Sequence, residues 1–260
     1  MASYDAILPA GGRIDPPFSD VVGTTSKALI ELDGRTILAR TLRALNDSGV
    51  VGRTVVIGTP EVLQHRDAAL ATHTLPEGAT GPENIFRGLD LLLSSGSPPE
   101  KVLIVTTDLP FLEGGIIRRY LELVSPDKHI SVPLIREHEY NARFPDTSAM
   151  FIKLRDGSFT TGCMYVIDVK ALQKARTHIE RVFENRKSKV GMAMLLGPAF
   201  VAKWLTKRLT LTDVENKIQA MLGVSGNAVQ GSPPELAFDV DYLDDYEYAR
   251  AHLEQAVPIS

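Results

Sequence analysis

Short apolar runs alternate with segments of helical periodicity through the first half of this chain, and that alternation restricts its fold more than any other feature. Residues 4–8, Thr54-Val55-Val56-Ile57-Gly58, His73-Thr74-Leu75 and Val102-Leu103-Ile104-Val105-Thr106 read as strands. Ile37, Leu38, Leu42 and Leu45 share one face of a helix over 36–47, and Ser48-Gly49 ends it. A second helix is expected from Glu61 to about Ala71. A third starts near Pro82, where proline suits a first turn, with Leu89, Leu92 and Leu93 as its apolar face. A fourth covers roughly 114–124. The order βαβαβαβα predicts a mostly parallel sheet with helices on both faces. Ligands of such sheets bind at the carboxyl ends of the strands.

Beyond residue 128 the pattern changes. Strands are expected at 130–135 and 149–154, separated by a polar loop with Arg136, His138, Arg143 and Asp146. Arg155-Asp156-Gly157-Ser158 reads as a hairpin turn, after which Phe159 to Asp168 returns as a strand. Residues 169–222 read as mainly helical, with breaks at Gly191, Gly197-Pro198 and Thr210–Asp213. Asp213 suits a helix N-cap. Leu236 to Val240 is expected to be a last strand, and Tyr242 onward a closing helix. At 260 residues this fits a single α/β domain.

Composition narrows the function classes. A net charge of −4 argues against a general nucleic-acid binder, whose footprint is a basic excess. The single cysteine, Cys163, excludes a disulfide framework and fits a reducing compartment. No window approaches the roughly 20 apolar residues of a membrane helix, and Met1-Ala2-Ser3-Tyr4-Asp5 lacks a basic leader pattern. The expectation is a cytoplasmic protein with no membrane partner.

Three places carry chemistry. The first is Leu8-Pro9-Ala10-Gly11-Gly12, with Lys27 fifteen residues beyond its last glycine. An apolar strand running into a turn without side chains brings backbone N–H groups, and one lysine, within reach of a polyphosphate. A purely structural turn is the competing reading. The turn is neither a P-loop nor a dinucleotide fingerprint, because Arg13-Ile14-Asp15-Pro16-Pro17 follows it rather than a helix. The second is Asp108, a hard oxygen ligand at the end of an apolar strand, suited to Mg²⁺. A turn or cap aspartate is the alternative. The third is Phe238-Asp239-Val240-Asp241, where alternation places both aspartates on one side. Asp244 and Asp245 read as acidic residues favouring a helix start.

Taken together, Leu8-Pro9-Ala10-Gly11-Gly12, Lys27-Ala28-Leu29, Gly34-Arg35-Thr36-Ile37-Leu38, Thr107-Asp108-Leu109-Pro110 and Phe238-Asp239-Val240-Asp241 resemble the GT-A-fold nucleotidyltransferases, nearest the MobA-like NTP transferase branch. The resemblance implies a Rossmann-like three-layer α/β/α fold with a mostly parallel mixed sheet and a helical insert toward the C-terminus. The 1–260 domain would divide into a nucleotide-binding half (1–128), acceptor-side strands and closing helix (129–168 and 235–260), and the insert (169–234). It implies transfer of an NMP group from an NTP to a phosphorylated or anionic small-molecule acceptor, with release of pyrophosphate.

Residue by residue, the resemblance implies that Leu8, Pro9, Ala10, Gly11 and Gly12 cradle the nucleotide and that Lys27 neutralises its phosphates. Gly78, Thr80, Gly81 and Asn84 would lie near the base or ribose. Asp108 and Asp241, with Asp239 as a third candidate, would hold Mg²⁺ or Mn²⁺. Thr161 and Gly162, with Cys163 beside them, would line the acceptor pocket. Apart from the resemblance, the polar loop with His138 and Arg143 reads either as a cover over the acceptor or as a plain surface loop. The chain departs from the family pattern after Gly12: the third glycine is missing, Arg13 comes early as the candidate phosphate arginine, and Ser26 stands where proline precedes the lysine. Two other functions stay open, a GT-A glycosyltransferase using a sugar nucleotide and a catalytically silent nucleotide-binding domain. A homodimer is also left open. The run Arg181, Arg186, Lys187, Lys189 reads as a solvated helix face, and the six histidines show no paired metal spacing.

Overall fold

The computed structural model describes residues 4–185 and 188–254. Its strands are β1 (Tyr4–Ala10), β2 (Glu31–Leu32), β3 (Arg35–Thr36), β4 (Val51–Gly58), β5 (His73–Pro76), β6 (Lys101–Val105), β7 (Ile130–Arg136), β8 (Ile152–Leu154), β9 (Gly157–Thr161), β10 (Met164–Asp168) and β11 (Gly226–Gln230). Among the described residues nine of them form one sheet, ordered β5-β4-β1-β6-β10-β7-β9-β8, with β11 parallel to β7. The four strands β5, β4, β1 and β6 run parallel. Beyond β6, strands β10 and β9 run the opposite way, and β7 and β8 run with β6. The architecture is the α/β one expected, a mostly parallel mixed sheet carrying helices and a helical region toward the C-terminus.

Alternation along the buried strands supplies both faces of the sheet. Ala6, Leu8 and Ala10 of β1 face one apolar layer with Leu38, Leu42 and Leu45 of the helix Ile37–Asp47. Ile7 faces the other, with Phe86, Leu89 and Leu92 of the helix Gly81–Ser94 and Leu172 of the helix Val169–Asn185. Gly88 is a point of close approach, since a Cβ there would stand 2.8 Å from Ile7 Cγ2. A third cluster is aromatic. Phe111, Tyr140, Phe144 and Phe238 pack with centroids 4.7–5.3 Å apart around Ile30, Ile37 and Val240.

Several local expectations change. Thr210, not Asp213, is the N-cap of the helix Leu211–Leu222: its hydroxyl accepts from the Asp213 N–H (3.2 Å), and the Asp213 carboxylate accepts from the Thr210 N–H (3.1 Å). The helix expected over 61–71 is divided at His65 into Pro60–Gln64 and a 3₁₀ turn, Arg66–Leu70, with the Asp67 N–H donating to His65 Nδ1. The expected polar loop after β7 folds as the helix Glu137–Arg143, whose start is fixed when the Arg136 N–H donates to the Glu139 carboxylate (3.0 Å). The strand expected at 149–154 shortens to β8. The strand expected over Phe159–Asp168 is interrupted, because Gly162 and Cys163 turn their N–H groups to Pro133 O and Leu236 O. Residues 236–240 join no ladder: a 3₁₀ turn, Pro234–Leu236, leads into an extended strap. The strand in that part of the chain is β11, ten residues earlier. Arg186 and Lys187 lie outside the described residues.

Candidate active site

The strap explains how Asp239 and Asp241 reach the carboxyl edge of the sheet. It is tied at one end by the Cys163 N–H donating to Leu236 O (2.7 Å) and at the other by the Val240 N–H donating to Asp108 O (3.0 Å). Phe238 and Val240 are buried in the aromatic cluster. Alternation then turns Asp239 and Asp241 the opposite way, onto Asp108. One oxygen of each of the three carboxylates lies within 4.8 Å of the others. Asp108 itself is aimed by its place just past β6, where the Thr107 hydroxyl donates to Pro9 O (3.4 Å) and draws the ends of β6 and β1 together.

Lys27 reaches into this cluster. Its ammonium is paired with Asp241 and stands 3.8 Å from Asp108 Oδ2. Burial alone would lower the Lys27 pKa, but the charges of Asp108, Asp241 and Asp239 outweigh it and hold the group above its ordinary value. Burial raises Asp108, opposed by Lys27 and reinforced by Asp241. Asp239 is pushed up to about 7, first by burial and then by the charges of Asp108 and Asp241. Asp108 Oδ1 is buried without a well-formed hydrogen bond among the described residues. Three close carboxylates, one with an orphaned buried oxygen, are a hard-oxygen donor set that fits a divalent cation.

The glycine turn sits beside the cluster. β1 extends through Ala10, so Leu8 and Ala10 are core residues and the turn proper is Gly11-Gly12. The segment 13–26 closes on itself: Ile14 N–H donates to Thr25 O and Lys27 N–H to Gly12 O, and Arg13 bridges to Ser26. This brings the Lys27 stem against Gly12, where a Cβ would stand 3.3 Å from Lys27 Cδ. Arg13 folds back over the turn, donating to Gly11 O (2.9 Å) and pairing with Glu77. That pairing raises its pKa.

A cleft of about 440 Å³ opens on this turn, lined by Pro9, Gly11, Gly12 and Arg13 on one side and Glu77, Gly78, Ala79, Thr80, Gly81 and Asn84 on the other. Phe183 completes the lining. Asn84 Oδ1 accepts from the Gly78 N–H (2.6 Å), and the Thr80 hydroxyl caps the helix Gly81–Ser94 by accepting from the Glu83 N–H. The sequence-predicted residues 9, 11, 12, 13, 78, 80, 81 and 84 are therefore walls of one cavity. Glu77 and Phe183 were not predicted. Glu77 had a signal, as the carboxylate directly after β5, whereas Phe183 depends on long-range packing.

The acceptor-side residues are dispersed. Arg143 pairs with the largely buried Glu235 (2.7 Å) and lies over the rings of Phe111 and Phe144, bracing the base of the strap. Gly162 packs under Leu236, whose carbonyl would stand 2.8 Å from an added Cβ. Thr161 lines a different, apolar cleft, with Leu134, Phe159, Leu211 and Ile218. Cys163 is the member of this group that senses the carboxylates. Burial, then Asp108 and Asp239, raise its pKa.

Residues 6–210 match the MobA-like NTP transferase domain. A hypothetical transferase from Thermus thermophilus is 30% identical, with a TM-score of 0.82, and the alignment covers 94% of this chain and 99% of that one. A nucleotidyl transferase from Methanothermobacter thermautotrophicus has a TM-score of 0.57 at 16% identity, covering 98% and 99% of the two chains. The 2-C-methyl-D-erythritol 4-phosphate cytidylyltransferase, also of Thermus thermophilus, has a TM-score of 0.56 at 18% identity, over 97% and 99%. The last two are similarities of fold.

Proposed function

This chain belongs to the MobA-like NTP transferase family, the nucleotidyltransferases, and from that premise we propose that it moves an NMP group from an NTP to a phosphorylated or anionic small molecule. The acceptor oxygen forms a bond to the α-phosphorus while the bond from that phosphorus to pyrophosphate breaks. The observation that carries the reading is the convergence of Asp108, Asp239 and Asp241 beside the Gly11-Gly12 cleft. These three residues would hold Mg²⁺ or Mn²⁺, which supplies charge neutralisation for the phosphates.

The remaining work falls to the protein. The carbonyls of Gly11 and Gly12 are engaged by Arg13 and Lys27, so the turn offers a polyanion its N–H groups. Lys27 stands between turn and carboxylates and exchanges its pairing with Asp241 for the phosphates when they arrive. Arg13 is half exposed and reaches the same cleft by releasing Glu77. In-line placement and charge complementarity then carry the step, which asks for no covalent intermediate.

The test is incubation with each NTP, Mg²⁺ and a panel of phosphorylated acceptors, following pyrophosphate. Release that Asp108→Ala lowers by at least about 100-fold is the expected result. NTP binding without turnover on any acceptor would instead mark a silent nucleotide-binding domain.

A further inference from the structure

The helix Val169–Asn185 belongs to the region that the motifs leave unassigned. Its apolar stripe runs Leu172, Ala175, Ile179, Phe183, spaced for one helical face. Leu172 and Ile179 pack with Phe86 and Leu89 of the helix Gly81–Ser94. Arg176 covers the Phe86 ring at 4.5 Å. The stripe runs up to the start of that helix. At Phe183 the facing residue is Gly81, the first of its helix, and a Cβ there would stand 3.3 Å from Phe183 Cε2. The edge of the ring thus meets the helix start at Gly81, and the ring lines the cleft of Gly11, Gly12, Gly78 and Asn84.

That cleft is short of flat apolar surface. Its lining is glycine backbone, Pro9, Ala79, Thr80, the Arg13–Glu77 pair and Asn84, and Phe183 is its one aromatic ring among the described residues. A nucleobase needs a flat partner to stack on, and every base has such a face. We infer that Phe183 is the stacking wall for the nucleobase, so that the C-terminal helical region contributes directly to nucleotide binding. The inference rests on the nucleotide reading of this cleft. It assigns the base to the Phe183 side and the phosphates to the Gly11-Gly12 side.

Equilibrium titration tests it, using the four NTPs with Mg²⁺ and, in parallel, inorganic tripolyphosphate, which has no base. Phe183→Ala is expected to weaken the NTP that wild type binds by about 5- to 100-fold. Tripolyphosphate affinity stays unchanged, and Phe183→Tyr keeps NTP affinity within about twofold of wild type. Thermal melts of both variants confirm folding. Unchanged NTP affinity in Phe183→Ala overturns the inference. So does an equal loss of NTP and tripolyphosphate, which would mean that the ring only props up the start of the helix. If wild type binds tripolyphosphate but no NTP, the nucleotide reading itself fails, and this inference with it.

Discussion

Asp239 is the residue on which electrostatics and stability meet. It shares a small volume with Asp108 and Asp241, and Lys27 is the cation of that cluster. Its carboxyl is pushed up to about 7 by burial and by the two neighbouring carboxylates. An unfolded aspartate titrates near 3.9, so between about pH 4 and 7 the folded chain holds a proton that the unfolded chain has released. Stability therefore falls as pH rises through that window and stays low above it. Asp239→Asn removes the effect. The variant is expected to be more stable than wild type at pH 8 by an amount of the order of a few kcal/mol, with the difference gone below about pH 4. Urea melts at several pH values, with a chelator present, measure this. Mn²⁺ added at pH 8 is expected to raise the midpoint of wild type more than that of Asp239→Asn. A wild-type midpoint that does not fall between pH 4 and 8 would refute the crowding of the three carboxylates.

At the scale of elements, the helix Gly114–Leu123 follows Asp108 closely, and how tightly it docks bears on where that aspartate sits. Its first residue is pressed against the end of the helix Ile37–Asp47: a Cβ on Gly114 would stand 2.8 Å from Asp47 C and Ser48 N. Both are backbone atoms, so neither can swing aside. Arg118 completes the joint by donating to Asp47 O (3.0 Å) and Ser48 O (3.2 Å). Gly114→Ala is expected to cost about 1–3 kcal/mol. Gly115→Ala next to it, with only the tip of Arg118 at 4.0 Å, is expected to be neutral or up to about 1 kcal/mol stabilising. Denaturant melts of the two variants make the comparison. Periodicity in the sequence finds this helix but not the joint, because nothing local tells Gly114 from Gly115. The same limit accounts for β11. Its residues Gly226-Asn227-Ala228-Val229-Gln230 include one β-branched side chain, and its pairing with β7 overrides that weak propensity. The strap fails in the opposite sense: Leu236–Val240 has the alternation of a strand, yet its inward residues bury themselves in an aromatic cluster instead of a ladder.

For the whole molecule, what the sequence makes legible is what local chemistry dictates. Asp108 and Gly11-Gly12 could be read because a strand followed by a polar or glycine residue locates itself at the carboxyl edge of a parallel sheet. Lys27, Asp239 and Asp241 stood out as candidates by proximity and alternation, but their roles needed the family pattern, and Phe183 needed the packed helices. The site is assembled from both ends of the chain, and the matched family domain ends at residue 210, ahead of Asp239 and Asp241. The later segment is also structural. Without residues 211–260, β7 loses β11, the aromatic cluster loses Phe238, Val240 and Ala249, and Glu235 no longer meets Arg143. A chain cut after residue 210 is therefore expected to lose cooperative unfolding, with a broad urea transition by circular dichroism, and to lose Mn²⁺ binding along with two of the three carboxylates. A sharp transition at the wild-type midpoint would mean that the first 210 residues fold alone and that the carboxylate strap is an appendage. The burial of Phe238 and Val240, at 1% and 0% exposure, argues for the first outcome: side chains that deep belong to the core that holds Asp239 and Asp241 in place.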